Sequence, residues 1–208
     1  MIKYLLTKRN MNVRFTKGGA EMKICVLFPG IGYTPDKPLL YYAGKLYKSR
    51  GYEVISVNYG KLPKKAIGDS SKMKKTFEMA MEKAQEELSQ IEWGEYSEIV
   101  FVGKSIGTIV AAAYAKEMGK LAGDEGLYSK IRFIYMTPLA ETFIYAREES
   151  GIAFHGTADP WVKTEEVETE CKRLNIPLYV YPDANHSLET GDIMRDIDTV
   201  KKVVSLLV

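Results

Sequence analysis

Ile99-Val100-Phe101-Val102-Gly103-Lys104-Ser105-Ile106-Gly107 is the stretch on which the reading of this chain turns. Its consecutive apolar residues suit a short strand covered on both faces, and the alanine-rich run from Ile106 to Met118 predicts a helix. Between them lies a Gly-x-Ser-x-Gly pentapeptide, so the serine sits at a strand-to-helix turn, the context this pattern requires. There it occupies a sharp, strained bend that lifts its hydroxyl clear of the sheet. Glycines two residues to either side leave room for the bend and for close packing of helix on strand. The helix N-terminus adds free N–H groups and the positive end of a dipole.

Working outward, short apolar runs alternate with longer amphipathic ones. Met22 to Phe28 reads as a buried strand, followed by the turn-rich loop Pro29-Gly30-Ile31-Gly32-Tyr33-Thr34-Pro35-Asp36. A helix is predicted over Pro38 to Arg50, closed by Gly51, and a strand over Glu53 to Val57. From about Ser70 to Ile91, Met73, Phe77, Ala80, Met81, Ala84 and Leu88 recur at three- and four-residue spacing, a helix whose stripe is core packing. Further strands are expected at Ile131 to Met136, Gly151 to Phe154 and Leu178 to Tyr181, with helices at Lys163 to Leu174 and Asp192 to Leu207. At the other end, Ile2 to Leu6 and Met11 to Phe15 flank the polar turn Lys8-Arg9-Asn10 and suggest an edge hairpin. The sum is a single α/β domain over residues 1–208. It has a mostly parallel twisted sheet, helices on both faces and an antiparallel N-terminal hairpin.

In such a sheet, ligands bind beyond the carboxyl ends of the strands, so the loops there carry the chemistry. Serine needs a general base, and the chain has only His155 and His186. The order serine, acid, histidine leaves room for an acid only if the base is His186, in the loop after the last strand. Asp159 stands on a turn just past Phe154, from which its carboxylate can hold the imidazole. Asp183 is closer in sequence and is expected to shape its own turn. Thr137 and Pro138 follow the strand ending at Met136, with no acid before Glu141. His155 is assigned a structural place. An oxyanion needs two donors: the backbone N–H of Ile106, after the serine, and one from the loop after Phe28, best placed at Ile31. Tyr33, Trp161 and Leu188 are candidate substrate contacts.

Composition removes other classes. The chain is 46% hydrophobic and 27% charged with a formal net charge of +2. Its lysines are dispersed, so no nucleic-acid partner is expected. Cys25 and Cys171 form no Cys-x-x-Cys pair and no zinc spacing; both read as small buried hydrophobes, and a disulfide framework is not indicated. No window approaches the roughly 18 apolar residues of a membrane span. The N-terminus lacks a secretory pattern, and the cytoplasm is the expected location.

Four stretches together carry a resemblance: Pro29-Gly30-Ile31-Gly32, Gly103-Lys104-Ser105-Ile106-Gly107, His155-Gly156-Thr157-Ala158-Asp159-Pro160 and Asn185-His186-Ser187-Leu188. In order and separation they resemble the α/β-hydrolase superfamily from Met22 to Val208. By that resemblance the two N-terminal strands are the antiparallel start of the sheet. Where many members carry His-Gly in the oxyanion loop, this chain has Pro29-Gly30. The stretch from Pro138 to Ser150 is too short for a large lid, which is similar to small carboxylesterases and dienelactone-hydrolase-like proteins. Dienelactone hydrolases proper use a cysteine where this chain has Ser105. The resemblance implies a serine hydrolase acting on a small ester or thioester through Ser105, His186 and Asp159, with no metal or cofactor. A catalytically silent binding protein and an amide or peptide hydrolase are the alternatives. Oligomeric state is left open.

Overall fold

The structure, a computed structural model, describes residues 21–63, 70–122 and 125–207. The expected N-terminal hairpin lies outside the described residues. Among the described residues six strands form one sheet: β1 (Met22–Phe28), β2 (Glu53–Ser56), β3 (Tyr96–Lys104), β4 (Ile131–Met136), β5 (Gly151–Gly156) and β6 (Leu178–Tyr181). Their order is β2-β1-β3-β4-β5-β6, and every neighbouring pair is parallel. Central strands covered on both faces need apolar side chains both up and down, which is why β1 and β3 read as unbroken apolar runs.

Around the sheet lie α1 (Pro38–Ser49), α2 (Ser70–Glu87), α3 (Ile106–Ala122), α4 (Glu125–Lys130), α5 (Thr142–Tyr145), α6 (Thr164–Arg173) and α7 (Ile193–Ser205). Pro38 opens α1 at the first turn, where the missing N–H costs nothing, and Gly51 lies just beyond its end at φ 82°. Asp192 caps α7, its Oδ1 accepting from the N–H groups of Met194 and Arg195 at 2.9 and 3.2 Å. None of the described helices is long and apolar enough to cross a membrane.

Each sheet face has its own core. Phe28, Phe101, Phe133 and Tyr135 pack with α2, α3 and α6 on one side. Cys25, Val102, Ile134 and Phe154 pack with Leu39, Leu40 and Tyr47 of α1 and Val203 of α7 on the other. Cys25 and Cys171 are both buried free thiols. Burial pushes both well above the ordinary thiol range, Cys171 to about 12.

Several boundaries differ from the sequence reading. β3 starts at Tyr96 rather than Ile99: its first turn of ladder carries the polar residues Ser97 and Glu98, which pair with β1 at the sheet rim. There Ser97 Oγ donates to Met22 O at 3.0 Å and Glu98 pairs with Lys23. α2 ends at Glu87, short of the expected Ile91, and α3 continues past Met118. The short helices α4 and α5 were not expected, since six and four residues are too few to show a period.

Candidate active site

Ser105 sits between β3 and α3 at φ 56°, a left-handed conformation that a side chain rarely adopts. The surroundings enforce it. Its N–H donates to Met136 O at 3.0 Å, and its carbonyl accepts from Thr108 N and Thr108 Oγ1 at 2.8 and 2.6 Å. Thr108 Oγ1 in turn meets Thr142 Oγ1 of α5 at 2.6 Å. At Gly107 a Cβ would stand 2.0 Å from Phe28 O, and at Gly103 it would stand 2.7 Å from Gly107 O. Helix and strand therefore approach more closely than any side chain permits.

The loop after β1 closes over this bend. Gly30 and Tyr33 exchange backbone hydrogen bonds at 3.2 and 3.3 Å, and Gly32 takes φ 73°. A Cβ on Gly30 would lie 3.2 Å from Ser105 Cβ, so this backbone runs directly against the serine. Among the described residues, the N–H groups of Ile31 and Ile106 have no acceptor in the protein.

His186, in the loop between β6 and α7, faces Ser105 across the sheet end. Its Nε2 is 2.8 Å from Ser105 Oγ and its Nδ1 is 2.7 Å from Asp159 Oδ2. A carboxylate can only accept, so Nδ1–H donates to Asp159 and the Nε2 lone pair is left to accept from the serine hydroxyl. The Asp159 side chain is 0% exposed, and its other oxygen accepts from Trp161 N at 2.9 Å. The His186 side chain keeps 16% exposure. Burial holds its imidazole below the ordinary value of 6.5, against the Asp159 hydrogen bond, which favours the charged form, and with the help of the Lys104 charge. Neutral His186 is thus the form favoured at neutral pH.

The remaining sequence candidates fall in different places. Trp161 lies beside the His186 ring, with centroids 5.4 Å apart. Tyr33 and Leu188 were expected to border the substrate. Both side chains are instead buried in the α1/α7 core, Leu188 at 1% exposure. Asp183 points outward, pairing with Arg195 at 3.4 Å, and its N–H donates to Thr157 Oγ1 at 2.8 Å, the turn-shaping place the sequence suggested. His155 is fully buried with neither ring nitrogen hydrogen-bonded. Its Nδ1 is 3.9 Å from Asp159 Oδ2, but burial lowers its basicity, so the contact is not an ion pair. Sequence reasoning overlooked Lys104, which is buried beneath the serine bend. The signal was present: it follows Val100 and Val102 at two-residue spacing on one buried face. Among the described residues, no group of three or more His, Cys, Asp or Glu is placed to hold a metal ion.

No family model matches the chain, and no curated relative does. Solved structures do. An α/β serine hydrolase homologue from Coxiella burnetii is 17% identical, with TM-score 0.62 over 99% of this chain and 100% of that one. An esterase from Pyrococcus furiosus is 14% identical, with TM-score 0.59 over 90% and 82%. Est1E from Butyrivibrio proteoclasticus, solved with ferulic acid bound, is 10% identical, with TM-score 0.55 over 93% of each chain. In strand order, element sequence and overall superposition, this chain has the α/β-hydrolase fold.

Proposed function

We propose that the protein is a serine hydrolase that cleaves a small carboxylic ester or thioester through an acyl-enzyme on Ser105. The observation that carries this reading is the unbroken hydrogen-bond chain from Ser105 Oγ through both nitrogens of His186 to the buried Asp159. Fold likeness at this level of identity speaks to architecture, so activity has to be argued from the site.

In the reaction the Ser105 proton passes to His186 Nε2 as Oγ attacks the substrate carbonyl carbon. The carbonyl oxygen becomes an oxyanion, which the N–H groups of Ile106 and Ile31 are free to receive. Asp159 stabilises the imidazolium without itself taking the proton. Collapse of the intermediate expels the alcohol or thiol, which receives the proton from His186, and leaves the acyl group on Ser105. Water then attacks the acyl carbon while His186 takes its proton; collapse returns that proton to Ser105 and frees the carboxylic acid. Every step is supplied by this chain and water. Trp161, beside the imidazole, is the candidate substrate contact that the geometry supports best.

A panel of p-nitrophenyl esters and acyl thioesters of graded chain length tests the proposal, with wild type and Ser105→Ala run side by side. Ser105→Ala should keep its fold and lose turnover by about 10⁴-fold or more, the scale of triad knock-outs. Retention of a tenth of the wild-type rate would place the nucleophile elsewhere. A silent binding protein would turn over none of the panel.

A further inference from the structure

The turn that presents the Ile31 N–H is held at both of its ends. Gly30 and Tyr33 exchange backbone hydrogen bonds at 3.2 and 3.3 Å, which closes residues 30–33 into one unit. Within it Ile31 is half-buried and Gly32 exposed, so the unit takes its place chiefly from Gly30 and Tyr33. The Tyr33 side chain is buried, and its hydroxyl accepts from Leu39 N at 3.2 Å. That N–H is one of those the first turn of α1 leaves without a helical partner.

Both ends also rest on Lys104, the residue immediately before Ser105. A Cβ on Gly30 would lie 3.1 Å from Lys104 O, so the end of β3 runs against one end of the turn. The Lys104 side chain is only 1% exposed. Strand parity sends it to the face of Val100 and Val102, into the core that also holds Tyr33. There Nζ sits over the Tyr33 ring, 4.9 Å from the centroid, inside the roughly 6 Å at which a lysine is drawn to an aromatic face. Among the described residues no carboxylate pairs with it directly. An N–H over the ring is attractive for the ammonium and, more weakly, for the amine. Burying a polar nitrogen is costly, and a methionine would fill the same space without that cost. Contact with the ring is what the nitrogen adds.

We propose that Lys104 is a positioning residue that seats the 30–33 turn, its main chain against Gly30 and its Nζ on the Tyr33 ring, so that the Ile31 N–H keeps register with Ser105. The proposal rests on the reading of Ser105 as nucleophile and of the Ile31 N–H as an oxyanion donor. Such a donor acts only where the oxyanion forms, about 2.7–3.1 Å from it. Loosening the turn therefore weakens a contact made in the transition state, which lowers kcat and leaves KM nearly unchanged.

Lys104→Met keeps the length and apolar stem and removes the N–H groups. Its kcat for an activated ester should fall roughly tenfold with KM within about twofold, the scale of a slightly misplaced group at a reacting centre. Two backgrounds isolate the ring contact. Tyr33→Phe keeps the ring, and there Lys104→Met should still cost its full tenfold. Tyr33→Leu removes the ring, and there Lys104→Met should cost less than about twofold, because the contact is already gone. Equal costs in the two backgrounds, or a loss expressed in KM alone, would overturn the proposal. Should Lys104→Met fail to fold, Lys104→Leu is read the same way. A measurement without substrate separates this from the functional reading. In Lys104→Met, hydrogen exchange at the Gly30 and Tyr33 amides, which bond each other's carbonyls, should speed roughly tenfold while the β4 amides keep wild-type protection. Unchanged exchange at Gly30 and Tyr33, or faster exchange throughout the sheet, contradicts the proposal even if ester hydrolysis is established. Faster exchange confined to the turn supports it even if no ester on the panel is cleaved.

Discussion

The serine bend after β3 and the histidine loop after β6 present partners 2.8 Å apart, but they are held in place by different physics. The bend is fixed by backbone sterics. Gly103 and Gly107 admit no side chain, the latter because Phe28 of β1 lies against it, and Ser105 is held at φ 56° by this close approach and by its N–H bond to Met136 O. The histidine loop is fixed by polar contacts and by chain that is distant in sequence. Asn185 Oδ1 accepts from Ser187 N and Glu189 N at 2.7 and 3.2 Å, and Asn185 N donates to Glu189 O at 2.8 Å. Ala158 N donates to Ala184 O at 2.9 Å, and a Cβ on Gly156 would stand 2.2 Å from that same oxygen. Leu188, at φ 59°, anchors the loop in the core. A device built from sterics fails by clash and one built from hydrogen bonds fails by loosening, so the two regions should respond differently to substitution.

The largest expected effect is on the bend. Gly107→Ala must push the Phe28 carbonyl away, and an added methyl in backbone contact should cost about 3 kcal/mol. For a domain of this size that corresponds to a Tm lower by roughly 6 to 12 °C, with activity lost alongside. Thermal unfolding and ester turnover measured together check this; an unchanged Tm would show that the bend is not set by close approach.

Next comes the link between the loops. Asp159→Asn should keep the fold but cost turnover about 10⁴-fold, by holding His186 in the wrong tautomer. Asp183→Asn, on an exposed side chain, should cost less than about threefold, since it loses only a surface contact with Arg195. Kinetics of both variants at one pH decide the matter, and the reverse order would move the acid to Asp183.

An effect well below that of Asp159→Asn is expected at Asn185 in the histidine loop. Asn185→Ala removes two hydrogen bonds to backbone N–H groups, each worth at most about 1 kcal/mol net at an exposed site. Turnover should fall roughly tenfold through misplacement of His186, with Tm changed by only a few degrees. Full activity in this variant would mean that Leu188 and the Ala184 contacts hold the loop unaided.

The same contrast explains what could be read from the sequence. The bend was legible because its determinants are local: an apolar run, two glycines at fixed offsets and an alanine-rich helix. His186 was legible by elimination, since only two histidines exist and only His186 comes after the Asp159 turn, in the loop that follows the last strand. Asp159 was preferred to Asp183 on its place after β5, and in the structure its Oδ2 lies 2.7 Å from His186 Nδ1. Tyr33 and Leu188 were misplaced because a loop residue was equated with a surface residue, whereas the turn at Leu188 directs the side chain inward. The direction of the His186 shift could not be read at all. It depends on burial outweighing a carboxylate, and burial of a loop is a property of the assembled fold.

The central claim is that Ser105 is a nucleophile made reactive by neutral His186, and the most direct test is the pH dependence of covalent labelling by a fluorophosphonate. Labelling should place one adduct on the peptide carrying Ser105. Because the base acts in its deprotonated form and burial lowers its affinity for protons, the rate should rise with pH along a single ionisation. The midpoint of that rise should lie below the ordinary histidine value of 6.5, and the rate should then be level to pH 9. His186→Gln should reduce labelling to background at every pH. An adduct on another residue, or a rate on Ser105 that is flat with pH and indifferent to His186→Gln, would contradict the account.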